Sequence, residues 1–168
     1  LGRKFMQTVY YPYILSRSDS ISLIAADESD RIAGYIAAAQ GRRFYINMLK
    51  KNKALFLKYL AAALFRNPLK IQYVFTVIKL LLGNNTYEPA ENEIELLYIS
   101  VRRAYRRSGV GTRLISELLC RLRRKTGLAR CFVKTLSATP STHDFYRKSG
   151  FQPVHEYHGR IWFTADLD

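Results

Sequence analysis

Two short runs of mostly apolar residues near the start of the chain predict a β-hairpin. ISLIAADES and RIAGYIAAAQ contain β-branched and small apolar residues, and the polar letters DESD between them are typical of a tight turn. We place these strands at residues 21–27 and 31–40. Before them, residues 3–17 have apolar groups at helical spacing as far as Pro12, and we expect the helix to end or kink there.

The apolar pattern changes to a helical one in the middle of the chain. MLKKNKALFLKYLAAALF and LKIQYVFTVIKLLL predict two helices, which Asn67 and Pro68 separate and Gly83 ends. After them, EIELLYISV has the content of a central strand.

The second half alternates between helical and strand patterns. GVGTRLISELLCRLRRKTG predicts an amphipathic helix, CFVKTLS a buried strand, STHDFYRKSG a short helix, and FQPVHEYH with GRIWFTADL a final strand pair. Strands that alternate with helices indicate the α/β class, here an α+β mixed sheet with at least one parallel crossover. We therefore expect a single domain over residues 1–168, with a helical segment at 47–83.

Composition narrows the class of protein. A chain of 168 residues with 48% hydrophobic and 24% charged residues is globular, and its formal net charge of +14 favours anionic partners. Cys120 and Cys131 are too few for a disulfide scaffold and lie in predicted regular elements, so free thiols in a reducing compartment are expected. The opening residues lack the apolar run of a secretory signal. These features predict a cytoplasmic protein.

A basic, glycine-containing loop between a strand and a helix carries the most informative chemistry. The strand EIELLYISV runs into RRAYRR, which turns through Ser108, Gly109 and Gly111 into the long helix. Glycines let a ligand approach the backbone, and the unpaired amides of a first helical turn bind phosphate at the positive end of the helix dipole. The pattern predicts a diphosphate site, while an ordinary strand-to-helix turn with solvated arginines is the alternative.

Two motifs together resemble the GNAT superfamily of acyl-CoA-dependent N-acetyltransferases. Its pyrophosphate signature, Arg or Gln followed by x-x-Gly-x-Gly/Ala, stands here as RRSGVG, and its Phe-Tyr-x-x-x-Gly-Phe helix end stands as FYRKSGF. The resemblance runs from Ile21 to the end of the chain. It implies a GNAT-like fold with splayed central strands, a shortened N-terminal part, acetyl-CoA as co-substrate and no metal. The implied pyrophosphate site comprises Arg106, Arg107, Ser108, Gly109, Val110, Gly111 and Thr112.

The resemblance also implies roles along the cleft. Main-chain groups of Ile99, Ser100 and Val101 would bind the pantetheine arm and polarise the thioester, and Tyr146 would protonate the departing sulfur. Thr139 stands where the family usually has Asn. A core aromatic with its hydroxyl at the surface is the alternative for Tyr146.

Glu95 is the second catalytic candidate. It stands near the start of the family's fourth strand, where many members carry a general base, and desolvation would raise its pKa toward the working range. The alternative is that Glu91, Glu93 and Glu95 share one strand face and merely solvate it. Both interpretations stay open at the level of sequence.

The helical segment at 47–83 is an insertion relative to the family, whose members usually join the corresponding strands by a short turn. Residues 31–87 contain no acidic residue, so this segment faces an anion, an acidic surface or water. A lid for an anionic acceptor, a peripheral membrane contact, a dimer contact and a plain solvated rim are the alternatives. The ten basic residues are Arg31, Arg42, Arg43, Lys50, Lys51, Lys53, Lys58, Arg66, Lys70 and Lys79.

These observations predict an enzyme that moves an acetyl group from acetyl-CoA to a primary amine of a small molecule, such as an amino sugar. Two alternatives remain. One is a protein or peptide N-acetyltransferase, and the other is a non-enzymatic basic module that binds nucleic acid or anionic membrane through phosphate contacts, for which RRAYRR and RLRRK would serve. The acceptor amine is the partner that the sequence leaves unnamed.

Overall fold

A computed structural model describes residues 2–40, 44–67, 72, 90–157 and 159–167. The chain divides into two compact units, one of residues 1–18 with 42–88 and the other of residues 19–41 with 89–168. The first is helical where it is described, and the second holds the sheet.

The helical unit begins with α1 (Gly2–Phe5), a π-helical segment (Met6–Tyr10) and α2 (Tyr11–Leu15). Of the two expectations at Pro12, an end of the helix is wrong, because α2 continues to Leu15 and the carbonyl of Pro12 accepts the amide of Ser16 at 3.0 Å. Proline lacks an amide hydrogen and is tolerated in a first helical turn, and the wider π-helical turn directly precedes it.

The rest of this unit comprises α3 (Phe44–Lys51) and α4 (Lys53–Arg66), in the region of the first predicted insertion helix. Edge-to-face aromatic pairs join the N-terminal and insertion helices of this unit, with ring centroids 6.0 Å apart for Phe5 and Tyr59 and 5.4 Å apart for Tyr13 and Phe44. Residue 72 is helical, and the rest of the second predicted helix lies outside the described residues.

The sheet unit has six strands, which confirms the predicted mixed α/β class. Their spatial order is β1-β2-β3-β4-β6-β5, and only β3 and β4 are parallel neighbours. Helix α5 provides the crossover between these two strands, as the sequence pattern predicted. The elements are β1 (Ser20–Ala26), β2 (Ile32–Gln40), β3 (Glu93–Val101), a short 3₁₀ turn (Arg103–Tyr105), α5 (Val110–Arg123), β4 (Arg130–Leu136), α6 (Pro140–Lys148), β5 (Gln152–Tyr157) and β6 (Arg160–Asp166).

One face of the sheet is covered by the apolar side of α5. Side chains of Leu114, Ile115, Leu118 and Leu122 repeat at helical spacing and are buried against the strands. Gly34 permits this close approach, because a β-carbon at that position would lie 3.0 Å from Leu114 Cδ1.

The pairing of the two parallel strands is short. It runs from Glu93 beside Arg130 to Glu95 beside Phe132, whereas β3 continues to Val101. A β-bulge at Leu97 accompanies the divergence, since Ala37 pairs with Tyr98 and Ala38 with Leu96. We call the opening that begins after Glu95 and Phe132 the fork. The predicted splayed central strands are therefore present.

Candidate active site

The start of α5 is built to receive an anion. Gly109 is the N-cap residue with a φ of 81° and supplies no side-chain cap, so the amides that precede the first bonded one, Arg113, have no partner within the helix. Arg107 also has a positive φ, 63°, which costs a non-glycine residue about 1 kcal/mol. Arg106 and Arg107 are exposed beside this turn. Both the dipole and the guanidinium groups favour a phosphate here.

Side-chain contacts hold the basic loop in place. The Tyr105 hydroxyl donates a hydrogen bond to Asp27, and Arg31 lies 2.8 Å from the same carboxylate. These contacts lower the pKa of Asp27, with the Tyr105 hydrogen bond as the largest cause. Ser108 closes the turn by donating to the Tyr105 carbonyl at 2.7 Å. The loop after β3 is thus tied to the β1–β2 turn.

The two glycines of the predicted signature have different environments. A β-carbon added at Gly109 would meet nothing within 4 Å, whereas one added at Gly111 would lie 3.2 Å from the Phe145 ring. Gly109 therefore allows the positive φ of the turn and leaves open space beside the backbone, whereas Gly111 allows α5 to pack closely against α6. Val110 and Thr112 complete the first turn, with Thr112 exposed.

Backbone groups of β3 point into the fork. The amide of Arg102 donates to the Ala33 carbonyl at 2.9 Å, and alternation along an antiparallel ladder then turns the polar groups of Ile99 and Val101 away from β2. Arg106 Nε donates to the outward carbonyl of Val101 at 3.1 Å. Ser100, between them, pairs with Tyr35 and faces β2.

Tyr146 lies on the α5 side of the sheet. Its ring is buried between those of Phe145, Phe151 and Phe163, at centroid distances of 5.4, 5.7 and 5.9 Å. Burial raises its pKa to about 12, and a smaller contribution comes from Cys131 of β4. The phenol is therefore protonated at neutral pH. Only 6% of Tyr146 is exposed, and this burial among aromatic rings also agrees with the alternative of a core aromatic. The role of Tyr146 as an acid stays a prediction.

At the start of α6, two side chains bond to the carbonyl of Leu136, which precedes the helix. Thr139 occupies the N-cap position, but its hydroxyl donates back to the Leu136 carbonyl at 2.7 Å instead of capping the helix. His143 Nε2 lies 2.9 Å from the same carbonyl. The hydroxyl oxygen of Ser137 is buried and has no hydrogen-bond partner among the described residues.

Glu95 lies on the opposite face of the sheet from Tyr146. Its carboxylate oxygens are 3.2 and 3.3 Å from Lys134 Nζ, and its side chain is 12% exposed. Burial raises the pKa of Glu95, while Lys134 and Arg160 oppose that rise. The alternative of a merely solvated acidic face is wrong, because Glu93 is also buried and is paired with Arg130 at 3.3 Å.

Sequence reasoning missed Lys134. Its ammonium lies 4.4 Å from the Trp162 ring centroid and 5.4 Å from that of Phe132, and the two rings stack at 5.8 Å. A lysine in the middle of the buried run CFVKTL was the available signal. Trp162 is buried and also carries this cation–π contact.

The fork, the uncapped start of α5 and the buried phenol of Tyr146 together make up the candidate site. The acetyltransferase (GNAT) family model matches residues 2–151. The chain belongs to this family. No curated protein sequence matches it.

Solved structures share the fold of this GNAT chain at low sequence identity. An acetyltransferase of the GNAT family from Staphylococcus aureus is 13% identical with a TM-score of 0.57, over 100% of this chain and 81% of that one. The ribosomal-protein-S18-alanine N-acetyltransferase from Escherichia coli is 11% identical, with a TM-score of 0.55 over 95% and 75% of the two chains.

A third neighbour was solved with the coenzyme. The PaiA N-acetyltransferase from Thermoplasma acidophilum in complex with coenzyme A is 14% identical, with a TM-score of 0.53 over 88% of this chain and 61% of that one. The GNAT family uses acetyl-CoA, and the uncapped helix start and the outward β3 backbone groups of this chain fit such a co-substrate.

The described residues bear on two kinds of partner, a metal ion and a membrane. They contain no cluster of three or more His, Cys, Asp or Glu side chains that could hold a metal ion. None of the described helices has the length and apolar character needed to cross a bilayer. The cytoplasmic location stays a prediction.

The helical unit presents both charge and apolar surface. Lys50, Lys51 and Lys53 are exposed, and so are Leu57 at 60% and Phe65 at 93%. This combination suits each of the acceptor-lid, membrane and dimer interpretations. The role of residues 47–83 and the single-domain description therefore stay predictions.

Proposed function

We propose that this GNAT protein transfers the acetyl group of acetyl-CoA to a primary amine of a small molecule, with an amino sugar as the first acceptor class to test. One observation carries the proposal: the sheet buries the phenol of Tyr146 on one face and, beside the fork, the carboxylate of Glu95 on the other. An acyl transfer from a thioester to an amine is assisted by one group that accepts a proton from the amine and another that donates a proton to the departing thiolate.

The co-substrate would bind along the edge of β3. Arg106, Arg107 and the amides from Ser108 to Thr112 would hold the pyrophosphate, and the outward groups of Ile99 and Val101 would hold the pantetheine and orient the thioester. Backbone dipoles fixed beforehand stabilise charge on the thioester oxygen. Thr139 and Ser137 lie at the end of β4 that bounds the other side of the fork.

Proton transfers would be divided between the two faces. Glu95 would accept a proton from the acceptor ammonium, directly or through water, because its pKa is raised above that of an ordinary carboxylate. Tyr146 would give its proton to the departing sulfur. Cys131 is a poor candidate for a covalent route, since burial raises the pKa of its thiol to about 12. Direct attack by the amine is therefore the proposed mechanism.

Calorimetric titration with acetyl-CoA tests the first half of the proposal. We expect one saturable site in the wild-type protein, and weaker binding after Arg106→Ala or Gly109→Ala, with Arg124→Ala as a matched control on an arginine beyond the far end of α5. Absence of binding, or equal loss in all three variants, would contradict the assignment of the pyrophosphate site.

A thiol-release screen tests the second half. Amino sugars, polyamines and short peptides are offered with acetyl-CoA, and we expect turnover with an amino sugar that depends on Tyr146. Turnover with peptides alone would instead identify a protein N-acetyltransferase. Affinity for nucleic acid that falls steeply with salt, without coenzyme binding, would indicate the non-enzymatic alternative.

A further inference from the structure

The ammonium of Lys134 is held in a small cage on the Glu95 face of the sheet. Both oxygens of Glu95 lie within 3.3 Å of it, and the stacked rings of Phe132 and Trp162 lie on its other side, with ring centroids 5.4 and 4.4 Å away. A carboxylate and two aromatic faces are the groups that recognise an alkylammonium ion. The cage therefore has the chemistry of an amine-acceptor subsite, and a lysine of the chain already occupies it.

The cage lies at the mouth of the fork. Phe132 is opposite Glu95 in the last pair that joins β3 and β4, and Lys134 is two residues further along β4 on the same face. Its side chain is 20% exposed, so the amine is confined without being sealed from solvent. A thioester oriented by Ile99 and Val101 would enter the same opening from the other strand.

We propose that Lys134 is an acceptor within the chain, so that bound acetyl-CoA acetylates its Nζ. This inference rests on the proposed function, because it uses the same fork, phenol and carboxylate. It adds a modification site and a second substrate class, the protein's own lysine.

The atoms and protons of this transfer balance with Glu95 and Tyr146 as the proton carriers. Glu95 takes one proton from the ammonium, and the freed lone pair of Nζ attacks the thioester carbon. The N–C bond forms, the C–S bond breaks, and Tyr146 protonates the sulfur. A second proton leaves the nitrogen as the amide forms and restores the Tyr146 phenol. The products are acetyl-lysine and the free coenzyme thiol, with one proton left on Glu95.

Acetylation would change the site that performs it. The product amide carries no charge, so the ion pair with Glu95 and the cation–π contact with Trp162 are both lost. A second amine could then approach Glu95 without competition from a fixed ammonium. Self-acetylation would thus alter the selectivity of the same cleft for external amines.

Peptide mapping by mass spectrometry tests this proposal on the full chain incubated with acetyl-CoA. We expect Lys134 to gain about 42 Da, the mass of an added acetyl group, while exposed Lys148 serves as the internal reference. Lys134 should react at least about tenfold faster than Lys148, and Glu95→Gln should remove most of that advantage. Lys134→Arg, which keeps the charge, should leave no modified residue at this position.

The kinetics and a parallel binding measurement separate the outcomes. An intramolecular reaction gives an observed first-order rate constant that does not change with protein concentration, so an observed rate constant that rises in proportion to protein concentration would overturn the proposal. Coenzyme binding with Lys134 no more modified than Lys148 would overturn self-acetylation and leave the proposed function intact. Failure to bind acetyl-CoA in calorimetry would overturn both.

Discussion

The two faces of the sheet at the fork bury ionisable groups in different ways. On the α5 side, aromatic rings surround Tyr146, and burial alone accounts for most of the rise in its pKa. On the other side, Glu95 is also buried, but an ammonium within 3.3 Å opposes the effect of burial. Desolvation favours the neutral form of each acid, and on the first face nothing among the described residues opposes it, so the phenol keeps its proton. On the second face, the Lys134 ammonium favours the ionised carboxylate of Glu95.

Removal of the phenol is expected to have the largest effect. Tyr146→Phe should lower kcat by about 100-fold or more, because the departing thiolate then lacks its proton donor. The ring contacts with Phe151 and Phe163 remain, so thermal unfolding should change little. Steady-state kinetics with a thiol reagent, beside a melting curve, makes the measurement. An unchanged kcat would remove Tyr146 from the mechanism.

The carboxylate face is tested by Glu95→Gln. We expect kcat to fall by about 10- to 100-fold and the acid limb of the pH–rate profile to disappear, since the variant has no carboxylate to deprotonate. In the wild type, the rate should fall as pH decreases through the raised pKa of Glu95. A pH series of kcat/KM measures both. Glu117→Gln, on the exposed surface of α5, is the matched control.

Lys134→Met removes the ammonium beside Glu95, which is what distinguishes the carboxylate face from the phenol face. Without the ammonium, the pKa of Glu95 rises further above its unfolded-state value, so the acid limb should move to higher pH. The free energy of unfolding should fall by about 2 kcal/mol at about pH 8, where Glu95 is ionised and has lost its partner. The loss should be smaller at about pH 3, which is below the unfolded-state pKa of about 4.3 for glutamate, so that Glu95 is protonated in both states. Urea unfolding at the two pH values checks the sign. An equal loss at both would show that only packing was removed.

The smallest expected effect concerns the helix that covers the phenol face. Gly111→Ala places a β-carbon 3.2 Å from the Phe145 ring and should cost about 1–2 kcal/mol of unfolding free energy. Gly109→Ala meets no neighbour, and its strain comes from the positive φ alone, about 1 kcal/mol. Calorimetry should show weaker acetyl-CoA binding for Gly109→Ala, which distinguishes the loop from the packing contact.

Local patterns predicted the elements of the sheet unit well. The hairpin near 21–40 and the strand EIELLYISV occur within one or two residues of the expected bounds. The helix that follows RRSGVG begins as expected but ends at Arg123, before the final glycine of the predicted GVGTRLISELLCRLRRKTG. Gly150 ends α6 as predicted, with a φ of 90° and the Phe151 amide bonded to the Tyr146 carbonyl. Pro12 does not end the helix as expected, because it lies in the first turn of α2, where proline is tolerated.

What the sequence by itself determined is the set of short-range features: apolar periods, the uncapped glycine turn beside arginines, and the helix that ends in FYRKSGF. Tertiary structure alone decided that Glu95 meets Lys134, 39 residues away, and that Tyr146 lies on the opposite face. The physical reason is that strand register selects which side chains meet, and burial then sets their pKa values. Neither quantity is a property of neighbouring residues in the chain.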